Sequence, residues 1–313
     1  MSKRPKVTVL MSVYNSEEYL HEAIDSILNQ TFKDFEFLII NDGSTDKSLK
    51  IIKSYKDTRI RLIDRENWGL TRSLNQGLEI AKGEYIARQD SDDASVPERL
   101  EKEVAYLDAH PQAGMVGSNY TITDLKGKPK VTTNVFTHPA DLKLCQVTCN
   151  QFGHGSVMMR KSVIDKVGGY DATVGYVEDY DLWTRISRVA DIANFEEPLY
   201  LYKSNDKGVS LQNQELQIKQ TFAVRDKAFK HFRSHRRQYR IYSYHPSGQD
   251  YRRRKSTLYR NLAYLYREDG SIIRAAQMLL VAILFTPKNK RNYRLLAKTL
   301  LKPRAPSWEF EFL

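Results

Sequence analysis

The sequence predicts an α/β protein with a largely parallel sheet and helices on its faces, followed by a basic helical C-terminal region. Short apolar or β-branched runs alternate with helical patterns, and this alternation is typical of a parallel sheet. The predicted strands are Val7–Val13, Phe35–Asn41, Ile60–Ile63, Tyr85–Ala87 and Met115–Ile122. After about residue 211 the strand-like runs stop. We therefore expect one α/β domain over residues 1–215 and a helical region over residues 216–313.

Each of the first four helices has a recognisable start. Ser16 is the predicted N-cap of the first helix, whose apolar residues recur at helical spacing at Leu20, Ala23, Ile24, Ile27 and Leu28. Ser44, Thr45 or Asp46 is expected to cap the second helix, and a turn at residues 67–69 leads into the third. Pro97 suits the first position of the fourth helix.

The C-terminal region carries the positive charge of the chain. Residues 231–313 contain 18 Lys and Arg against 5 Asp and Glu, while the whole chain has a formal net charge of +11. Basic residues interleave with tyrosines here, at Arg236, Arg237, Arg240, residues 252–255 and Arg260 among Tyr239, Tyr242, Tyr244, Tyr251 and Tyr259. This mixture is typical of a surface for an anionic membrane or a nucleic acid, although a solvated helix face has the same composition. Residues 259–287, with Gly270 at the turn, predict one helix–turn–helix unit.

Composition excludes several classes of protein. The longest apolar run after the first strand, Met278–Phe285, is far shorter than the roughly 18 residues that span a bilayer. The N-terminal run ends at Tyr14 and resembles a buried strand more than a signal peptide. Cys145 and Cys149 have no His or Cys cluster nearby, so neither a disulfide framework nor a zinc site is indicated. A reducing, cytoplasmic compartment fits this pattern.

An acidic cluster follows the strand at Tyr85. Asp90, Asp92 and Asp93 lie within four residues, at the strand end where α/β proteins bind their ligands. Carboxylates this crowded repel one another unless a cation is present, and hard oxygen ligands suit Mg²⁺ or Mn²⁺. A solvated turn that caps the next helix is the alternative. No glycine-rich dinucleotide or P-loop motif is present.

A second acidic cluster, Glu178-Asp179, precedes an amphipathic pattern that carries Leu182, Ile186 and Val189. Asp179 could simply cap that helix. Alternatively, it could take a proton from an attacking hydroxyl while a metal-bound diphosphate departs from the opposite face.

Residues 7 to about 210 resemble the family 2 glycosyltransferases, which have the GT-A fold, a mixed sheet flanked by helices. Five segments match in the order of the family: Val9–Asn15, residues 41–46, residues 67–77, residues 90–100 and residues 178–183. They include the Asp-x-Asp metal motif at Asp90 and the Glu-Asp base motif at Glu178.

The resemblance implies a role for each matched residue. Tyr14, Asn15, Asp42 and Arg72 would contact the nucleoside, with the Asp42 carboxylate accepting a hydrogen bond from a base N–H. Asp90 would lie near the ribose, Asp92 would bind Mn²⁺ or Mg²⁺, and Asp179 would be the general base. The reaction would then be single displacement with inversion, by an enzyme of the hexosyltransferase type.

Three further segments have weaker counterparts in the family. The segment Gly153–Ser156, with His154 and Gly155, is similar to one that faces the acceptor and diphosphate, and Glu178 would either bind acceptor or shape the helix start. Lys203, within residues 202–206, is a candidate contact to the diphosphate. The Gln-x-x-Arg-Trp motif of processive members is missing from the sequence, so we expect one sugar per encounter.

The expected partners follow from the same resemblance. A UDP-sugar is the favoured donor, and a glycan or lipid-linked glycan of cell-surface polysaccharide or glycolipid synthesis is the expected acceptor. An anionic membrane surface is then a better partner for the basic region than nucleic acid, which would place the protein on the inner face of the plasma membrane. The alternatives are a non-catalytic adaptor that retains the fold and a sugar nucleotidyltransferase.

Overall fold

A mixed β-sheet forms the centre of the N-terminal part of the chain. Its strands, within the described residues, are β1 (Val7–Val13), β2 (Phe35–Asp42), β3 (Ile60–Arg65), β4 (Tyr85–Arg88), β5 (Ala94–Ser95), β6 (Ala113–Thr123), β7 (Pro129–Thr132), β8 (Met158–Arg160) and β9 (Asp191–Lys203). Their order is β3-β2-β1-β4-β8-β6-β9-β5, with β7 paired to β6. The strands β3, β2, β1 and β4 are parallel, whereas β8 is antiparallel to β4 and β6. The predicted α/β class is confirmed, and the sheet is mixed.

The computed structural model describes residues 4–204, 213–239 and 249–301. The chain divides into two compact units: residues 1–143 with 151–224, and residues 144–150 with 225–313. The boundary predicted at residue 215 stays a prediction. Arg240, Tyr242, Tyr244 and part of the segment 202–206 lie outside the described residues.

Helices alternate with the strands and continue to the end of the described chain. They are α1 (Leu20–Leu28), α2 (Ser48–Ser54), α3 (Leu70–Ile80), α4 (Arg99–Ala109), α5 (Pro139–Cys145), α6 (Lys161–Val167), α7 (Glu178–Val189), α8 (Gln214–Ser234), α9 (Gln249–Glu268), α10 (Ile272–Phe285) and α11 (Lys290–Leu301).

The predicted starts of α1, α2 and α4 were wrong. The N-cap of α2 is Lys47 rather than Ser44, Thr45 or Asp46, although Asp46 Oδ1 accepts the Ser48 N–H at 2.9 Å. Ser16 is not the N-cap of α1, because its carbonyl accepts the N–H groups of Tyr19 and Leu20 in a separate turn and Tyr19 is the cap. Pro97 lies two residues before α4 rather than in its first position. Before α1 and before α4, an extra turn separates the preceding strand from the helix.

The core of the first unit fixes that edge. Every residue of β2 is buried, and the apolar face of α1 packs on the sheet through Leu20, Ala23, Ile24 and Ile27. Gly77 lets α3 lie against β1, since a Cβ there would be 2.3 Å from Leu10 Cδ1. The loops after β1, β2 and β4 therefore start from a rigid base.

The second unit is helical. Gly270, with φ +78°, makes the turn between α9 and α10, and Tyr259 of α9 stacks on Phe285 of α10 at 5.7 Å between ring centroids. Asn292 of α11 donates to the carbonyl of Ala282 and so ties α11 to α10. Across the described ranges, no helix is long and apolar enough to cross a membrane.

Candidate active site

The loops after β1 and β2 interlock through Asn15. Its backbone has φ +49°, a left-handed conformation that Asn tolerates better than most residues. The Asn15 N–H donates to Ser44 Oγ at 3.1 Å, and Asn15 Oδ1 accepts the Thr45 N–H at 2.8 Å. Tyr14 beside it is 52% exposed. Asn15 thus shapes the loop, and the exposed Tyr14 ring is available to a nucleoside.

Asp42 is a buried anchor in the structure. Its Oδ1 accepts the Trp68 N–H at 2.9 Å and pairs with Arg65 Nη1 at 2.7 Å, while Oδ2 accepts the Gly69 N–H at 2.9 Å. Both carboxylate oxygens are therefore engaged within the protein. The implied contact between Asp42 and a base N–H would have to share an oxygen with Gly69.

No sequence pattern indicated a role for Arg65, although this residue organises the same loop. Its guanidinium lies 4.2 Å from the centroid of the Trp68 ring and donates to Ser73 Oγ. Arg72, the arginine implied by the resemblance, is exposed on the first turn of α3, with no internal partner among the described residues. Arg72 is therefore free to reach a ligand, whereas Arg65 is occupied.

The three carboxylates after β4 have different surroundings. Burial would raise the pKa of Asp90, but the guanidinium of Arg88 outweighs it and holds that pKa below its usual range. Asp93 accepts the Lys203 N–H at 2.8 Å and a hydrogen bond from Tyr200, yet burial and the charges of Asp92 and Asp90 raise its pKa well above its ordinary value.

Asp92 is the carboxylate left for a cation. Among the described residues, no other residue donates a hydrogen bond to its side chain, and burial, then the charge of Asp90, raise its pKa to about 6. A divalent ion beside Asp92 would stabilise the charged form of this carboxylate. One protein carboxylate also suits Mg²⁺ or Mn²⁺, which keep positions for water and diphosphate oxygens. The described part of the chain contains no group of three His, Cys, Asp or Glu side chains placed to hold a metal together.

Arg88 joins the metal motif to a second segment. The side chain is fully buried and donates through Nη1 to the carbonyls of Leu10 and Gln89, through Nη2 to Asp90, and through Nε to His154 Nε2 at 3.1 Å. Burial and the charge of Arg88 lower the pKa of His154 to about 3. His154 is therefore neutral, and its Nε2 is the acceptor.

His154 in turn faces the base motif. Because Nε2 accepts from Arg88, the ring proton lies on Nδ1, which is 3.9 Å from Glu178 Oε1. The Tyr170 hydroxyl hydrogen-bonds to Nε2 at 3.0 Å, and Trp183 packs edge-on to the ring. The two acidic clusters, far apart in sequence, thus meet across Arg88 and His154.

Glu178 and Asp179 begin α7, after the N-cap Val177. Asp179 is therefore not the N-cap, and its Oδ1 accepts the adjacent Tyr180 N–H at 2.6 Å. Burial, then the charge of Asp179, raise the pKa of Glu178 to about 7. Glu178 is buried, while Asp179 is partly exposed.

Gly155 and Lys203 contact the aspartates of the metal motif: Gly155 lies beside Asp90, and the Lys203 N–H donates to Asp93. A Cβ at Gly155 would lie 1.9 Å from the Tyr200 hydroxyl and 2.8 Å from Asp90 Oδ2. The glycine therefore lets the backbone lie close to Tyr200 and Asp90, which are protein groups rather than a ligand. The Lys203 side chain is 4% exposed, and its ammonium pairs with Glu22. Its implied contact with the diphosphate therefore competes with that ion pair.

Tyr200 and Arg99 were also missed. The Tyr200 hydroxyl accepts the Asp90 N–H at 3.1 Å, and Arg99 donates to the carbonyls of Arg88 and Val157. Tyr200 carries no local signal, because β9 pairs with β6 and β5 far away in sequence. Arg99 lay within the matched segment 90–100, but its burial was not foreseen.

The family model described as glycosyl transferase family 2 matches residues 8–168, just over half of the chain. The chain belongs to this family. Membership disfavours the nucleotidyltransferase alternative. EpsE of Bacillus subtilis strain 168, described as a glycosyltransferase, is 39% identical over 64% of this chain and 73% of its own length. The amylovoran biosynthesis glycosyltransferase AmsE of Erwinia amylovora is 32% identical over 61% of this chain and 74% of its own.

Solved glycosyltransferase structures share the fold. S. aureus TarS 1–349 with UDP-GlcNAc superposes with a TM-score of 0.60 at 18% identity, covering 95% of this chain and 92% of TarS. The mannosyltransferase PcManGT of Pyrobaculum calidifontis, with GDP-Man and Mn²⁺, gives 0.55 at 18% identity over 96% and 88%. The predicted GT-A fold is confirmed.

Proposed function

We propose that this glycosyltransferase is inverting and metal-dependent, and moves a sugar from a nucleotide diphosphate to an acceptor hydroxyl. The observation that supports this most is the meeting of the Asp90–Asp93 and Glu178–Asp179 clusters around Arg88 and His154. In one cluster Asp92 is the proposed ligand of a cation, and in the other Asp179 is partly exposed. A displacement reaction needs these two parts close together.

The proposed steps use the chain's own groups. Tyr14, Asn15 and Arg72 hold the nucleoside end, with Asp90 near the ribose. Asp179 accepts the proton of the acceptor hydroxyl as its oxygen bonds to the anomeric carbon and the bond to the diphosphate oxygen breaks. When bound at Asp92, Mn²⁺ or Mg²⁺ neutralises charge on the diphosphate. Attack opposite the leaving group inverts the anomeric centre.

UDP is the proposed nucleotide, and a glycan or lipid-linked glycan of polysaccharide synthesis is the proposed acceptor. The name of AmsE supports the pathway class, and the UDP-GlcNAc complex of TarS supports the donor class. The GDP-Man complex of PcManGT makes GDP-sugars the second arm of a donor screen.

The test is nucleotide release from UDP-, GDP- and dTDP-sugars with Mn²⁺. We expect Asp179→Asn to lose at least about 10²-fold in turnover, because a general base contributes about 10²–10⁴-fold. Asp92→Asn should lose turnover and also the rise in melting temperature that Mn²⁺ gives to wild type. Asp165→Asn, an exposed carboxylate change on α6, is the matched control.

Two results would contradict the proposal. Turnover within a few-fold of wild type in both site variants would remove the assigned metal ligand and base. A product that retains the anomeric configuration of the donor, read from the proton NMR coupling of the new linkage, would exclude single displacement.

A further inference from the structure

The hairpin of α10 and α11 has a composition unlike the rest of the chain. Residues 271–301 contain six basic residues and no Asp or Glu. The basic residues are Arg274, Lys288, Lys290, Arg291, Arg294 and Lys298. A segment of this length with only positive charges selects for an anionic partner.

The same hairpin exposes large apolar side chains. On α10, Ile273 is 77%, Leu280 52% and Leu284 79% exposed. These positions are seven and four residues apart and therefore share one face of the helix. Leu279 and Ala282 of α10 are fully buried. Helix α10 is thus apolar on its exposed face as well as on its buried face. An exposed apolar face of this kind is typical of a surface that binds a partner.

Helix α11 also exposes both apolar and basic side chains. Tyr293 is 47%, Leu300 57% and Leu301 79% exposed on α11, where Arg294 and Lys298 are also exposed. Apolar residues beside Lys and Arg, with a tyrosine at the border, are the composition of helices that lie in a membrane interface. We propose that the exposed faces of α10 and α11 dock on an anionic lipid bilayer.

Charge favours lipid over the other occupants. A second copy of the chain would bring one set of six positive charges against another. Nucleic acid would meet the basic side chains but would leave Ile273, Leu280 and Leu284 in water. An anionic bilayer takes both, with phosphate headgroups for the basic residues and acyl chains for the leucines.

The sequence alone pointed to the basic, tyrosine-rich stretch between residues 236 and 260 as the membrane surface. Part of this stretch turns inward: Lys255 and Tyr259 of α9 are fully buried and Arg260 is 7% exposed, donating to Asn292 Oδ1 of α11. Arg252 and Arg253 are exposed. The stretch 236–260 is thus partly used inside the helical unit, whereas α10 and α11 combine exposed basic residues with large exposed apolar side chains.

Co-sedimentation of the full-length protein with vesicles tests the proposal. We expect binding to phosphatidylcholine vesicles with about one third phosphatidylglycerol, and at least about 10-fold weaker binding to phosphatidylcholine alone. Leu280→Ser with Leu284→Ser, and separately Arg294→Gln with Lys298→Gln, should each lower binding about 10-fold. The charge variant should also depend less on salt than wild type, because it removes two of the six positive charges of this segment.

Matched controls lie in the first unit. Leu125→Ser and the pair Lys126→Gln with Lys128→Gln change exposed residues of the same kinds and should leave binding unaltered. Nucleotide release from the sugar donor is measured on every variant, so failure of vesicle binding and failure of catalysis are separate results. Equal binding of neutral and anionic vesicles, or no binding at low salt, would overturn the proposal. Dimerisation of wild type that the Leu280 and Leu284 changes abolish would instead assign the face to a second copy.

Discussion

Replacing Arg88 with methionine tests whether this side chain couples the two acidic clusters. Met has a similar length but neither charge nor donors, so the ion pair with Asp90 and the hydrogen bond to His154 are both lost. Removing one partner of a buried ion pair costs about 3–5 kcal/mol. Because Asp90 is 27% exposed and water can solvate it, we expect about 3 kcal/mol, near the lower limit. For a unit of this size that is a fall of about 6–12 °C in melting temperature.

A double-mutant cycle separates the pair from the rest of Arg88. Asp90→Asn alone leaves the Arg88 charge buried without its partner, and the double variant removes both charges. We expect a coupling free energy of about 2 kcal/mol, well above the roughly 0.3–0.5 kcal/mol scatter of independent sites. Urea unfolding followed by tryptophan fluorescence measures it, since Trp183 is fully buried beside His154.

Arg72→Met is the control for this cycle, because Arg72 is an exposed arginine of the same unit. It should change the free energy of unfolding by no more than about 0.5 kcal/mol. If Arg88→Met and Asp90→Asn were additive, Arg88 would not hold the metal motif through Asp90. The proposed role of Arg88 would then be wrong even if the variant were unstable.

Two further predictions concern residues that support the site. Glu103 of α4 accepts a hydrogen bond from Arg99 Nε at 3.1 Å, and both side chains are fully buried. Burial raises the pKa of Glu103 from 4.5 to about 7, so between these pH values the folded protein holds a proton that the unfolded chain has lost. This group's contribution to stability should fall by about 3 kcal/mol as pH rises through that window; unfolding curves of wild type and Glu103→Gln that run parallel between pH 4.5 and 7 would contradict this. Gly155→Ala should cut turnover by about 10²-fold, because its Cβ displaces the Tyr200 hydroxyl from the Asp90 N–H. In Gly127→Ala, whose Cβ meets no atom within 4 Å, turnover should be unaltered.

Local patterns predicted the parallel half of the sheet well. The first strand was placed at Val7–Val13, as observed, because a buried parallel strand is a continuous apolar run bounded by polar residues. The antiparallel β5, only Ala94–Ser95, has no such run. Its pairing with β9 is set by tertiary contact across more than 100 residues, and no local pattern encodes it.

The residues of the candidate site divide in the same way. Acidic residues at strand ends are visible in a sequence because their spacing is local. Arg88 and Tyr200 are not, since an arginine at the end of a strand and a tyrosine within one look like ordinary sheet residues. Their roles arise from partners at His154 and Asp90, which only the folded chain brings within reach.

The distribution of partners explains why one carboxylate of a crowded group would be the metal ligand. Arg88 neutralises Asp90, and Asp93 is held by Lys203 N–H and Tyr200. His154 cannot neutralise Glu178, because burial and Arg88 keep the ring uncharged. The buried positive charge of Arg88 thus acts on both motifs: it holds the pKa of Asp90 low and opposes the rise in the pKa of Glu178. The net negative charge that remains is concentrated at Asp92, and an external cation has its largest favourable interaction there.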